Sequence, residues 1–151
     1  MLELARDVDF EQVSRLALQI HQPHVAWRPD IYCDTPFPYP KEKFLEDISK
    51  RMVYVAKVDE FIAGFLVLSK RTKSGEGLVS KDVLVLESIC VDETFRGQGI
   101  GRTMLSELRL LARVFRCQEV ILSVYPENDG AIAFYQKCGF FIRSINMDMK
   151  V

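Results

Sequence analysis

The chain has 151 residues and a mass of 17.4 kDa, a length that provides for one domain and leaves no room for a second of ordinary size. Hydrophobic residues at 48% and charged residues at 27% match an ordinary globular domain and exclude a disordered, fibrous or repeat protein. Twenty Lys and Arg against twenty-one Asp and Glu leave a formal charge of -1. No global field therefore draws the molecule to nucleic acid or an anionic membrane, and any anion site must be local.

Area scaling predicts a folded surface of roughly 7,900 Å² for this mass. The longest apolar run, FIAGFLVL at 61–68, is far shorter than a membrane helix, and the mixed N-terminus has no signal-peptide core, so the expected location is the cytoplasm. Cys33, Cys90, Cys117 and Cys138 are widely spaced without a CxxC pair. They read as reduced structural thiols rather than a disulfide framework or zinc knuckle.

Residues 2–5 predict a short strand. From Asp9 to about Gln22, Val13, Leu16, Ala17 and Ile20 recur at helical spacing and the pattern ends near a proline, which predicts a first amphipathic helix. Residues 23–40 are proline-rich yet carry Trp27, Tyr32, Phe37 and Tyr39, the composition of a packed lid. A short helix over 41–50 precedes two strands, MVYVAKV and FIAGFLVLS, joined in a hairpin at Asp59 and Glu60.

Residues 71–81 read as a second hairpin loop. The segment DVLVLESICV at 82–91 is a nearly continuous apolar strand, covered on both faces and interrupted by Glu87. After Gly101, Met104, Leu108, Leu111 and Phe115 share one helical face opposite Arg102, Arg109, Arg113 and Arg116. A strand over 119–125, a helix over 129–137 ending near Gly139, and two closing strands complete the prediction. The fold class is α/β (α+β), with a mixed, mostly antiparallel central sheet of six to seven strands and about four helices on both faces.

RGQGIG at 96–101 lies between the apolar strand and the longest helix. Its glycines allow main-chain N–H groups to turn outward at a helix N-terminus, where a phosphate is favoured, and Arg96 and Arg102 bracket the turn. Read alone, the same glycines make only a tight connection. A dinucleotide fingerprint is incomplete because position 102 is Arg, and a nucleotide-hydrolase loop would need GK followed by Ser or Thr, which is absent.

With this turn the chain resembles the GNAT superfamily of N-acetyltransferases. Arg96, Gly99 and Gly101 match the acetyl-CoA motif, and Asn128, Ala131, Phe134, Tyr135, Lys137, Gly139 and Phe140 match NxxAxxFYxKxGF. The resemblance is close over 82–142, whereas residues 20–45, where substrate choice is expected to reside, match no particular subfamily. It implies a cleft between splayed strands in which Ile89, Cys90 and Val91 pair with the pantetheine arm of acetyl-CoA. It further implies a diphosphate held by Arg96, Gly97, Gln98, Gly99, Ile100, Gly101 and Arg102, with Asn128, Ala131 and Phe134 bordering the coenzyme.

Direct acyl transfer needs a neutral amine, a stabilised oxyanion and a proton for the departing thiolate. Glu87 is the leading base, read by alternation as sharing a face with Val85, Ile89 and Val91 and therefore partly desolvated. The alternative is that it pairs with a nearby cation or orients a water. Tyr135 matches the family's general acid, its alternative being a core aromatic.

His21 and His24 lack the further ligands a metal needs, so no metal is expected. With Trp27, Asp30 and Tyr32 they are read as lining the acceptor pocket, an aromatic and acidic wall suited to a cationic amine. Cys90 as a covalent nucleophile has no readable histidine partner. The reading is an acetyl-CoA:amine N-acetyltransferase whose acceptor stays open among protein N-termini, lysines and small-molecule amines. The alternative is a CoA-binding sensor or interaction module without turnover. Nucleic acid and membrane are not expected partners, while a homodimer accords with the resemblance.

Overall fold

The computed structural model describes residues 1–151. In chain order it contains β1 (Leu2–Leu4), α1 (Phe10–Trp27), α2 (Lys41–Ser49), β2 (Val53–Val58), β3 (Phe61–Lys73), β4 (Lys81–Val91), α3 (Ile100–Val114), β5 (Glu119–Ile121) and α4 (Asp129–Lys137). One five-stranded sheet has the spatial order β1-β2-β3-β4-β5. The first three pairings are antiparallel and β4 with β5 is parallel, as the crossover through α3 requires.

The sheet separates two apolar layers. On one face α1 and α2 cover Val53, Val55, Phe65 and Val67 with Val13, Leu16, Ala17 and Phe44. On the other, Met104, Leu105, Leu108 and Ala112 of α3 cover Leu66, Leu68, Leu84 and Leu86, with Phe134 and Tyr135 of α4 packed alongside. Leu108 is 1% exposed, and a side chain so placed contributes about 1.5–3 kcal/mol by leaving water. Gly64 lies beneath α3, where a Cβ would sit 2.7 Å from the Cys90 carbonyl oxygen and 2.9 Å from the Met104 sulfur, so only glycine allows this approach.

Several expectations are corrected. There are five strands rather than six to seven, because β5 ends at Ile121 and residues 138–151 form no strand. Residues 141–151 make no main-chain hydrogen bond. They are tethered instead by side chains, Arg143 to Glu119, Asp148 to Arg28 and Lys150 to Asp30. Ile145, Met147 and Met149 stay exposed, and the accessible surface, 10115 Å², exceeds the roughly 7,900 Å² of a compact chain of this mass.

The first helix also continues past its expected end, through Pro23 to Trp27. The proline removes one N–H, but His24 Nδ1 donates to the Ile20 carbonyl at 2.7 Å and Arg28 N–H closes on the His24 carbonyl at 2.8 Å. The last turn is thereby held.

Candidate active site

The segment joining β4 to α3 is fixed at its start by Asp92. This carboxylate, 1% exposed, accepts from Arg15 of α1 at 2.6 Å and from the Thr94 N–H and hydroxyl at 3.0 and 2.9 Å. Burial alone would raise its pKa, but the bonds from Thr94 and Arg15 outweigh that and hold it down to about 2. Gln19, one turn further along α1, accepts from the Glu93 N–H at 3.1 Å and from Arg96 at 3.5 Å.

Gly97 and Gly99 then adopt left-handed φ of 77° and 83°, with open space where a Cβ would be. No side chain caps α3, and the first helical N–H to find a carbonyl is that of Thr103, on Gly99. The six consecutive N–H groups of Gly97, Gln98, Gly99, Ile100, Gly101 and Arg102 have no partner in the chain. They gather at the positive end of a fifteen-residue helix, an arrangement made for an anion. Gly101 serves differently: a Cβ there would lie 3.2 Å from the Phe134 ring and 3.4 Å from Val91.

Below this turn the sheet opens. β5 pairs with β4 only at Val83–Glu119, Leu84–Val120 and Val85–Ile121, so from Leu86 and Leu122 onward the two segments diverge. Ile89, Cys90 and Val91 stay in register with β3, opposite Leu66, Phe65 and Gly64. The Val91 carbonyl is already used, accepting from Arg96 Nε at 3.0 Å. Burial pushes the Cys90 thiol up to about 11, which keeps it protonated and unsuited to nucleophilic attack.

Glu87 departs from its expected setting. It is an extra residue in β4, unpaired where the register slips between Val67–Ser88 and Leu68–Leu86, a β-bulge. It does not share a face with Ile89 and Val91, which pack with Leu84 and Leu86 in the α3 layer. Its carboxylate lies on the α1–α2 side, 39% exposed, and Oε1 accepts from Ser69 and, at 3.0 Å, from Arg71. The desolvated base of the sequence reading is an exposed ion pair.

The second motif forms α4. Asn128 is its N-cap, with the side-chain oxygen accepting from the Ala131 N–H at 3.2 Å, so the half of this amide left for a ligand is its NH₂. Phe134 closes against Gly101 and Val91. Tyr135 lies edge-on to Phe140, and burial pushes its phenol up to about 12. Its hydroxyl has no hydrogen-bond partner in the chain. Every buried side-chain nitrogen or oxygen has one, so this hydroxyl opens to solvent.

The lid gathers on the other side of the cleft. His24 packs edge-on against Trp27, Tyr32 and Tyr125 with ring centres 5.4, 5.2 and 5.5 Å away, and the Tyr32 and Tyr125 hydroxyls are 3.0 Å apart. His21 Nε2 donates to the Cys33 carbonyl at 2.7 Å. Burial, aided by Tyr125, pushes the Tyr32 phenol up to about 12. Asp30 is not a free acid for a cationic amine, since Arg28 grips it with two bonds of 2.9 and 2.8 Å and holds its carboxyl well below the usual range.

The sequence reading missed Arg15, Gln19, Gly64, Asp92 and Tyr125, whose partners lie too far along the chain to be read by spacing. Two surface concavities of about 480 and 510 Å³ border the N-terminal half of α1; the first includes Phe37 of the lid, the second Arg15, Asp92 and Thr94 at the base of the glycine turn, and neither includes a residue of 96–102. The open cleft and its unpaired amides, rather than an enclosed cavity, mark the chemistry.

Comparison with known proteins gives the same direction. The spermine/spermidine N(1)-acetyltransferase of Bacillus subtilis (strain 168) is 38% identical over 56 residues, which is 36% of this chain and 37% of that protein. The chain thus spans little more than a third of that relative's length. A solved structure of the F44R mutant of the BH1408 protein from Bacillus halodurans superposes with a TM-score of 0.94 at 26% identity, covering 100% of this chain and 99% of that one. The aminoglycoside N-acetyltransferase AAC(6')-Iy in complex with CoA shares the fold, with a TM-score of 0.70 at 20% identity and 100% of each chain covered. A family model described as acetyltransferase (GNAT) family matches residues 18–140; with its cradle of free amides, splayed strands and tyrosine-bearing fourth helix, the chain belongs to that family.

Proposed function

We propose that the protein transfers an acetyl group from acetyl-CoA directly to a primary amine. The observation that carries this is the run of six unpartnered N–H groups from Gly97 to Arg102 at the mouth of the β4–β5 cleft. Backbone donors set at a helix N-terminus suit a diphosphate, and Arg96 and Arg102 add charge beside them. Asp92 N–H bonds to the Ala63 carbonyl of β3 at 2.8 Å, so by strand alternation Cys90 turns its main-chain groups to β3 while those of Ile89 and the N–H of Val91 face the divergence and can pair with an extended arm. The Asn128 NH₂, Ala131 and Phe134 close the other wall.

Acetyl-CoA supplies the activated thioester. Tyr135 carries an unpartnered, protonated hydroxyl and can donate its proton to the departing sulfur. Glu87 has one oxygen free on the α1–α2 side and can orient a water or hold an ammonium group before attack. The direct route calls for no covalent enzyme intermediate, and burial, which raises the Cys90 thiol to about 11, leaves that thiol a poor nucleophile. The relatives named above act on polyamine and aminoglycoside amines, which supports an amine acceptor and leaves its identity to experiment.

The test is calorimetry with acetyl-CoA followed by thiol release in the presence of spermidine, an aminoglycoside and a peptide with a free N-terminus. Binding below about 1 mM and amine-dependent thiol release are expected. No heat of binding at millimolar coenzyme would overturn the reading, and binding without thiol release from any amine would favour a sensor.

A further inference from the structure

Helix α1 touches both walls of the open cleft. Its Gln19 bonds to Glu93 and Arg96 beside the glycine turn, and five residues on, His24 packs against Tyr125 at the end of the β5 arm. The stretch between them therefore crosses the divergence of β4 and β5, on the sheet face that also carries Glu87.

His24 is held there in one tautomer. Its Nδ1 lies 2.7 Å from the Ile20 carbonyl oxygen, and a carbonyl only accepts, so Nδ1 carries the hydrogen and the neutral ring presents a lone pair at Nε2. Nε2 has no partner in the chain, and no buried side-chain nitrogen lacks one, so this lone pair opens to solvent. His21 is held the opposite way, its Nε2 donating to the Cys33 carbonyl, and serves as a latch for the lid.

Resting on the acetyltransferase reading, we infer that His24 Nε2 is the proton acceptor for the amine substrate. The charges around the ring are otherwise engaged. From α1 and the lid, Arg28 and Asp30 close on each other and on Asp148 and Lys150 of the C-terminal segment. The facing phenols, Tyr32 of the lid and Tyr125 of the β5 arm, bond to each other. Glu87 on the same face carries Ser69 and Arg71 on Oε1 alone, which leaves its other oxygen to hold the ammonium group while the proton goes elsewhere.

The step balances as follows. Nε2 takes a proton from R–NH₃⁺, giving imidazolium and the neutral amine. The amine nitrogen bonds to the thioester carbon, the C–S bond breaks, and the sulfur takes the Tyr135 proton to leave as free thiol. The second proton lost from nitrogen returns through solvent to the tyrosine oxygen, and the imidazolium discharges to water.

The test uses His24→Asn, whose amide NH₂ occupies the place of Nδ1 and can keep the Ile20 bond while Nε2 is removed. With the best amine of the panel, kcat is expected to fall about 10²–10⁴-fold with the acetyl-CoA Kd unchanged. The acidic limb of kcat/KM should disappear, and added imidazole should restore part of the rate. Wild-type-like kcat with the same acidic limb would overturn the inference while leaving the transferase reading intact. A wild-type protein that transfers to no amine overturns both. Independently of activity and of the variant's folding, ¹H–¹⁵N correlation of the wild-type imidazoles should show the His24 hydrogen on Nδ1, and a hydrogen on Nε2 in the neutral ring would refute the assignment.

Discussion

The glycine turn and the lid face the same cleft but are built in opposite ways. The turn offers main-chain N–H groups from six consecutive residues, and its side chains contribute little beyond charge. The lid is held by side chains that meet across the sequence, 12 residues apart for His21 and Cys33, 93 for Tyr32 and Tyr125, and 120 for Arg28 and Asp148. A site made of backbone tolerates few changes of conformation and binds one constant ligand. A site made of distant side chains can be rebuilt residue by residue, which suits the half of the reaction whose substrate varies.

The sharpest way to break this comparison is at the chemistry between the two regions. Tyr135→Phe is expected to lower kcat by about 10²–10⁴-fold with Tm and coenzyme affinity kept, because the hydroxyl makes no bond within the chain. With the phenol near 12, the wild-type rate should show no basic limb from this group until the pH approaches that value, since the protonated form is the donor. A basic limb near neutrality that vanishes in the variant would contradict it.

Next in size is Gly99→Val. A β-branched residue at φ 83° carries about 1–3 kcal/mol of strain, so the acetyl-CoA Kd should rise roughly 5–150-fold, with the acceptor KM little changed. Titration calorimetry reads the first and initial rates the second. Arg15→Ala should then cost about 1–3 kcal/mol in denaturant unfolding by leaving Asp92 short of a partner. Asp92 is held at about 2 against an ordinary value near 3.9. Its contribution is complete above that ordinary value and is lost as pH falls through about 2, and the variant should show a shallower acid dependence.

The smallest effect sharpens the comparison instead. Tyr32→Phe removes one hydrogen bond worth about 0.5–1.5 kcal/mol and should lower Tm by a few degrees. It should alter the acceptor KM without altering coenzyme affinity. A changed acetyl-CoA Kd would mean that the two regions are coupled through α1.

What was legible in the sequence follows the same division. The α3 helix, the glycine turn and the α4 motif depend on short spacings, and the structure has them where the residues predict. The length of α1 was misread because Pro23 is a strong local stop signal, whereas the His24 and Arg28 bonds that sustain the turn become visible only in three dimensions. Two closing strands were expected after the last helix, but β5 ends after three residues and offers them no ladder. Asp30 looked like a free acid because its neighbour Arg28 carries no mark of how its side chain folds back. The buried pair of Arg15 and Asp92 joins residues 77 apart and leaves no periodic trace.

The extra residue at Glu87 has a consequence for how β4 is indexed. Up to Leu86 the even-numbered side chains point toward α3; beyond the bulge the odd-numbered ones do, so Ile89 and Val91 line one layer and Cys90 the other. The strand carries two phases joined at a single position. A variant lacking Glu87 would keep every downstream pairing with β3, Cys90 still opposite Phe65 and Ile89 still opposite Leu66, and would lose only the local bend of the strand and the carboxylate that meets Ser69 and Arg71.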